Sequence, residues 1–163
     1  MTRAATMETR RERARKQLRQ PVEVHGRHAT FVIEQAFSCS PEQLWPWLTE
    51  PALIARWSRA PVHMSGPFAE GAERTVQIHL GPLRVIDLNE RVTRVQRERR
   101  FEYTGSTVQS HRGQAVLEPV GAHTKLSWTA EFEAPLSGLA RPMAGYVRWQ
   151  MEHSLAKLAA LLA

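Results

Sequence analysis

Residues 124–133, TKLSWTAEFE, alternate apolar and polar side chains without a break, and a few residues later the apolar spacing changes to threes and fours. In an extended chain Leu126, Trp128, Ala130 and Phe132 fall on one side, with Lys125, Ser127, Thr129 and Glu131 on the other. From about Leu139 to Leu162 the apolar residues are instead Met143, Val147, Met151, Leu155, Leu158 and Leu162, the stripe of a helix with one buried face. A half-buried strand and a one-faced helix both need a second layer to cover their apolar side, and here each can supply it to the other.

The same period-two pattern recurs upstream. ATFVIEQAFS turns Phe31, Ile33 and Phe37 inward and Thr30 and Glu34 outward. RTVQIHL places Val76, Ile78 and Leu80 on one face, LRVIDLNERVTRVQ places Ile86, Leu88 and Val92 on one face, Phe101 and Tyr103 open another strand, and GQAVLEP forms the next. Gly81-Pro82, the charged run RERR and Gly121 mark the turns. Between the first strand and the rest lies SPEQLWPWLTEPALIARWS, residues 40–58, which holds three of the five tryptophans. Ser40 is expected to cap a helix, with Pro41 in the first turn and Gln43 reaching back in a capping box. Leu44, Trp47 and Leu48 would form its inner face, leaving Trp45 at a cavity rim or the surface. A second short helix after Pro51 would turn Leu53, Ile54 and Trp57 inward. The expected order is strand, two short helices, about six antiparallel strands and one long helix: an α+β fold.

Charge separates the chain into two parts. The whole sequence carries a formal +6, yet residues 1–28 hold eight Arg or Lys against three Glu, a balance of +5. Residues 1–28 therefore read as a basic extension with too few apolar anchors to fold alone, and 29–163 as one nearly neutral domain. Because the basicity belongs to the extension, nucleic acid is not an expected partner of the domain. No apolar run is long enough to span a bilayer. A single cysteine, Cys39, rules out an internal disulfide and fits a reducing cytoplasm.

The sequence lacks the G-x-S-x-G, Walker, dinucleotide and H-E-x-x-H motifs. Its seven histidines, at 25, 28, 63, 79, 111, 123 and 153, show no metal-ligand spacing, so neither a metal nor a cofactor is expected.

The stretches SPEQLWPWLTEPALIARW, RVTRVQRERRFEYTG and HRGQAVLEPVGAHTKLSWTAEFE, followed by a terminal amphipathic helix, resemble the SRPBCC superfamily. This is the START-like or helix-grip group, which includes the polyketide cyclase/dehydrase and lipid-transport families. The resemblance implies a curved antiparallel sheet of six to seven strands around a long C-terminal helix, enclosing an apolar cavity for a lipid-like, sterol-like, polyketide-like or quinone-like molecule.

Face parity names the residues expected at such a cavity. They are Gln35, Phe37, Ile78, Glu90, Tyr103 and Trp128 from the sheet, and Met143, Tyr146, Val147, Gln150 and Met151 from the helix. A few convergent polar groups in an apolar wall are the usual form of a small-molecule site. The leading expectation is a carrier or binder of a hydrophobic small molecule, as a monomer or homodimer. A cyclase- or dehydratase-type enzyme would use a desolvated Glu90 with raised pKa as base, and Tyr103 or His153 as proton donor. An interaction module resembling chaperone activators would need a patch on the outer sheet face. The residues expected there, Arg74, Gln77, Lys125, Ser127, Thr129 and Glu131, read as merely solvated.

Overall fold

The structure, a computed structural model, describes residues 21–79, 85–106 and 110–163. Eight antiparallel strands form one sheet: β1 (Glu23–His25), β2 (His28–Phe37), β3 (Val62–Met64), β4 (Glu73–His79), β5 (Val85–Gln96), β6 (Arg100–Gly105), β7 (His111–Val120) and β8 (His123–Glu133). The order across the sheet is β1-β2-β8-β7-β6-β5-β4-β3, so only β2 and β8 are neighbours from distant parts of the chain. The described residues also form three helices: α1 (Pro41–Thr49) and α2 (Pro51–Ile54) between β2 and β3, and α3 (Ser137–Leu161) after β8. The helix-grip class expected from the sequence is the observed one, with eight strands where six to seven were expected. The additional β1 pairs with β2 inside the stretch assigned to the basic extension.

Alternation decides which faces are buried. Phe31, Ile33 and Phe37 on β2, Phe101 and Tyr103 on β6, Ala115 and Leu117 on β7, and Leu126, Trp128 and Ala130 on β8 all point into the core. The α3 helix packs chiefly against β2, and its Leu155 and Leu158 are wholly buried. Fully burying a Leu or Phe side chain contributes roughly 1.5–3 kcal/mol, so this layer dominates the stability.

At α1 the capping box forms as expected: the Gln43 N–H donates to Ser40 Oγ at 3.3 Å and the Ser40 N–H donates to Gln43 Oε1 at 3.0 Å. The inner face of α1 differs from the expected one. Trp45 is buried, 8% exposed, and packs edge-on against Phe68 and Phe101, whereas Trp47 is only half-buried. The Arg56 guanidinium lies 5.0 Å over the Trp47 ring, and the Trp47 carbonyl accepts the indole N–H of buried Trp57 at 2.8 Å. The aromatic wall of the sheet selects Trp45, because an edge-to-face partner is available there. Leu80, expected inward on β4, lies outside the described residues.

Candidate functional site

Between the sheet and α3 lies a cavity of about 230 Å³. Most of its wall is apolar: Ile54 and Trp57 from the α1–α2 region, Val76, Ile78, Ile86 and Leu88 from β4 and β5, Trp128 and Ala130 from β8, and Met143, Val147 and Met151 from α3. The polar wall groups include a cluster from four adjacent strands: Arg74, Glu90, Tyr103 and His111.

Strand register assembles that cluster. Arg74 and Glu90 are direct cross-strand partners on β4 and β5, and Arg74 Nε donates to Glu90 Oε2 at 2.6 Å with both side chains almost fully buried. Glu90 Oε1 lies 3.1 Å from His111 Nε2, although β6 runs between their strands. The residue of β6 that pairs with both is Gly105. A Cβ there would overlap the His111 ring, so the missing side chain lets the imidazole reach over β6 to the carboxylate. The same device serves the tyrosine. Tyr103 pairs with Gly113, a Cβ on Gly113 would overlap the phenol, and across this gap Tyr103 Oη accepts the Trp128 indole N–H at 3.1 Å. The Arg74 guanidinium lies 4.5 Å over the Tyr103 ring and 5.8 Å over that of Phe101, a cation–π arrangement in a desolvated site.

These contacts set the protonation states. Burial alone would raise the Glu90 carboxyl, but the adjacent Arg74 cation and the His111 hydrogen bond hold it below its ordinary value of 4.5. The raised pKa expected of a Glu90 base is therefore corrected: Glu90 is the anion of a buried ion pair. Burial pushes the Tyr103 hydroxyl up to about 12, helped by the Glu90 charge and opposed by Arg74, so it remains a neutral donor at physiological pH.

Of the residues expected at the site, the structure brings Ile78, Glu90, Tyr103, Trp128, Met143, Val147, Gln150 and Met151 to the cavity wall. It places four elsewhere. Gln35 donates to the neighbouring Ala36 carbonyl, and Phe37 is part of the filled core. Tyr146 donates its hydroxyl to the His79 carbonyl at 2.6 Å, and Gln150 donates to the same carbonyl at 3.2 Å, so this pair ties α3 to the end of β4. His153 is exposed, its Nδ1 donating to the Trp149 carbonyl at 2.8 Å.

Arg74 and His111 were the residues parity reasoning missed. Arg74, expected on the outer face, is 6% exposed and shares parity with Val76 and Ile78; His111 shares parity with Ala115 and Leu117. The inward parity of both positions is legible in the sequence, whereas the partner that makes a buried charge tolerable is not, because it comes from another strand. Burial of Arg74 is compensated by the Glu90 carboxylate that faces it and by the Tyr103 and Phe101 rings beneath it. Other charges of the sheet pair across strands at 2.6 Å, Lys125 with Glu34 and, at the edge of the cavity, Arg112 with Glu131. Cys39 is buried outside the cavity wall, its thiol pushed up by burial and its carbonyl accepting the Thr124 hydroxyl at 2.7 Å.

A wider depression of about 880 Å³ opens to solvent along β3–β6, lined by polar groups such as His63, Glu73, Thr75 and Asn89. The candidate site is assigned to the smaller apolar cavity, because enclosure by apolar walls with few polar groups is what holds a small molecule. Among the described residues no cluster of three His, Cys, Asp or Glu could hold a metal ion, and no helix is long and apolar enough to cross a membrane.

Residues 28–163 match the family model described as polyketide cyclase / dehydrase and lipid transport. Among solved structures, protein MLL2253 from Mesorhizobium loti is 24% identical with a TM-score of 0.66, over 82% of this chain and 96% of that one. Protein CV1439 from Chromobacterium violaceum is 19% identical with a TM-score of 0.65, over 82% and 96%. CalU16 from Micromonospora echinospora is 17% identical with a TM-score of 0.59, over 88% and 87%. No curated protein sequence matches this chain. At these identities the structures establish a shared fold. The chain belongs to the polyketide cyclase/dehydrase and lipid transport family of the SRPBCC superfamily.

Proposed function

We propose that this member of the family is a carrier or binding protein that holds a hydrophobic small molecule in the cavity between the sheet and α3. The observation that carries this reading is an apolar chamber of about 230 Å³ covered by a single helix, with a self-neutralised polar cluster on one wall. Such a wall removes apolar surface from water on binding and uses a few fixed polar groups to set orientation. The methionines at 143 and 151 give it side chains that can adapt to the occupant.

Native mass spectrometry of the protein purified from its own host tests this. A mass adduct that disappears on denaturation, and that Val147→Trp excludes, is expected. A chain free of any small molecule that instead captures one protein partner would favour the interaction-module reading and overturn this one.

One observation favours a catalytic reading as the alternative. The contact between His111 Nε2 and Glu90 Oε1 at the cavity wall is the kind of imidazole–carboxylate pair that moves protons. In that reading Glu90 orients His111 and Tyr103 supplies a hydrogen bond to developing negative charge; His153 faces away. Incubation of the co-purified molecule with fresh protein would yield a product that Glu90→Gln abolishes.

A further inference from the structure

The chemistry of the occupant is constrained by the size of the cavity, by its charge, and by one hydrogen atom left over on its wall. A volume of about 230 Å³ lies above the roughly 150 Å³ of an engineered cavity that holds benzene. It falls below the roughly 300–1,000 Å³ of sites for drug-sized ligands. One or two rings fill a space of that size.

The inner wall also offers no uncompensated cation to an anionic ligand. Of the three guanidinium groups among the described wall residues, two are ion-paired and the third, on Arg59, is exposed at the rim. Arg74 is paired with Glu90 at 2.6 Å and Arg112 with Glu131 at 2.6 Å, while Arg59 lies 5.0 Å over the Trp149 ring. A carboxylate or phosphate seated beside the buried Arg74–Glu90 pair would lose its hydration without gaining a free counter-charge.

The leftover hydrogen is on Tyr103. Its oxygen already accepts from Trp128 Nε1 at 3.1 Å, so the hydroxyl hydrogen is the half of the group still to be satisfied. Among the described residues nothing accepts it, although Tyr103 is 7% exposed and lines the cavity. A phenol hydroxyl can donate as well as accept, and only its accepting side is used here. We infer that the ligand is a compact, uncharged molecule of one or two rings whose carbonyl oxygen accepts the hydrogen bond of Tyr103. The inference rests on the cavity being the ligand site.

Calorimetric titration with three two-ring probes tests it: 1-tetralone, which carries the carbonyl; tetralin, the same skeleton without it; and 1-naphthoate, which is charged. The ketone is expected to bind roughly five- to tenfold more tightly than tetralin, the ratio of one net hydrogen bond, with naphthoate weakest. In Tyr103→Phe the ketone should fall to the level of tetralin while tetralin is unchanged, which also shows that the cavity is intact. The ¹³C resonance of a labelled tetralone carbonyl should shift on binding to the wild-type protein and lose that shift in the variant. Equal binding of ketone and hydrocarbon, a ketone preference that survives Tyr103→Phe, or tightest binding of naphthoate would overturn the inference and leave the cavity as a ligand site. Failure of both neutral probes to bind would overturn the cavity reading itself.

Discussion

The two halves of α3 carry one continuous apolar stripe but meet different surroundings. In the C-terminal half Leu155 and Leu158 are 1% and 0% exposed, packed into the core beside β2. Met143 and Val147 in the N-terminal half, and Met151 just past the midpoint, keep the same spacing yet are only half-buried, because they face the cavity. Over β4 and β5 the helix is held by polar ties, Tyr146 and Gln150 to the His79 carbonyl. Periodicity says that a helix face is turned inward. Whether anything fills the space in front of it is set by how far the curved sheet stands off.

The largest test of this contrast is a pair of truncations. Leu158→Ala should cost about 3–4 kcal/mol by urea denaturation, since it opens a void in close-packed surroundings. Met143→Ala, which enlarges a space already there, should cost about 1 kcal/mol. Equal costs would mean that the two halves are packed alike.

The polar wall gives the next effect. Arg74→Leu leaves Glu90 buried without its counter-charge and should cost about 3 kcal/mol, while the double variant Arg74→Met with Glu90→Gln should recover most of that loss. A double variant as unstable as the single would show that packing of the guanidinium over Phe101 and Tyr103, not charge, is what matters.

A pH series sharpens the same point. Glu90 has a folded-state pKa below its ordinary 4.5, so its contribution is complete above that value and is lost as pH falls through the folded one. Stability against urea should decline below about pH 4.5 with a slope that Glu90→Gln reduces; an unchanged slope would move the acid sensitivity to other carboxylates. The smallest effect belongs to neither half. Ser40→Ala removes the α1 cap and should cost about 1 kcal/mol, with the affinity of the cavity unchanged.

Some of the site was legible before the fold was known. Glu90 shares parity with Ile86, Leu88 and Val92, and the register shift that could have turned it outward falls after it, between Val92 and Arg94. Tyr103, Trp128, Met143, Val147 and Met151 were legible for the same reason. Tyr146 and His153 were not separable from them, because a helical stripe does not show which edge of the helix meets the sheet. Trp45 and Trp47, two residues apart, illustrate the same limit: only the position of Phe101 and Phe68 decided which ring would be buried.

By itself the sequence determined the alternation of each strand, the capped helix at Ser40, the long terminal helix and the resemblance to a helix-grip fold. These depend on side chains near one another along the chain. The tertiary structure decided the pairing of Arg74 with Glu90, the reach of His111 across Gly105 and the hydrogen bond from Trp128 to Tyr103. Each joins residues from different strands, and each works only at one register, where an opposite charge or an absent Cβ makes burial of a polar group tolerable.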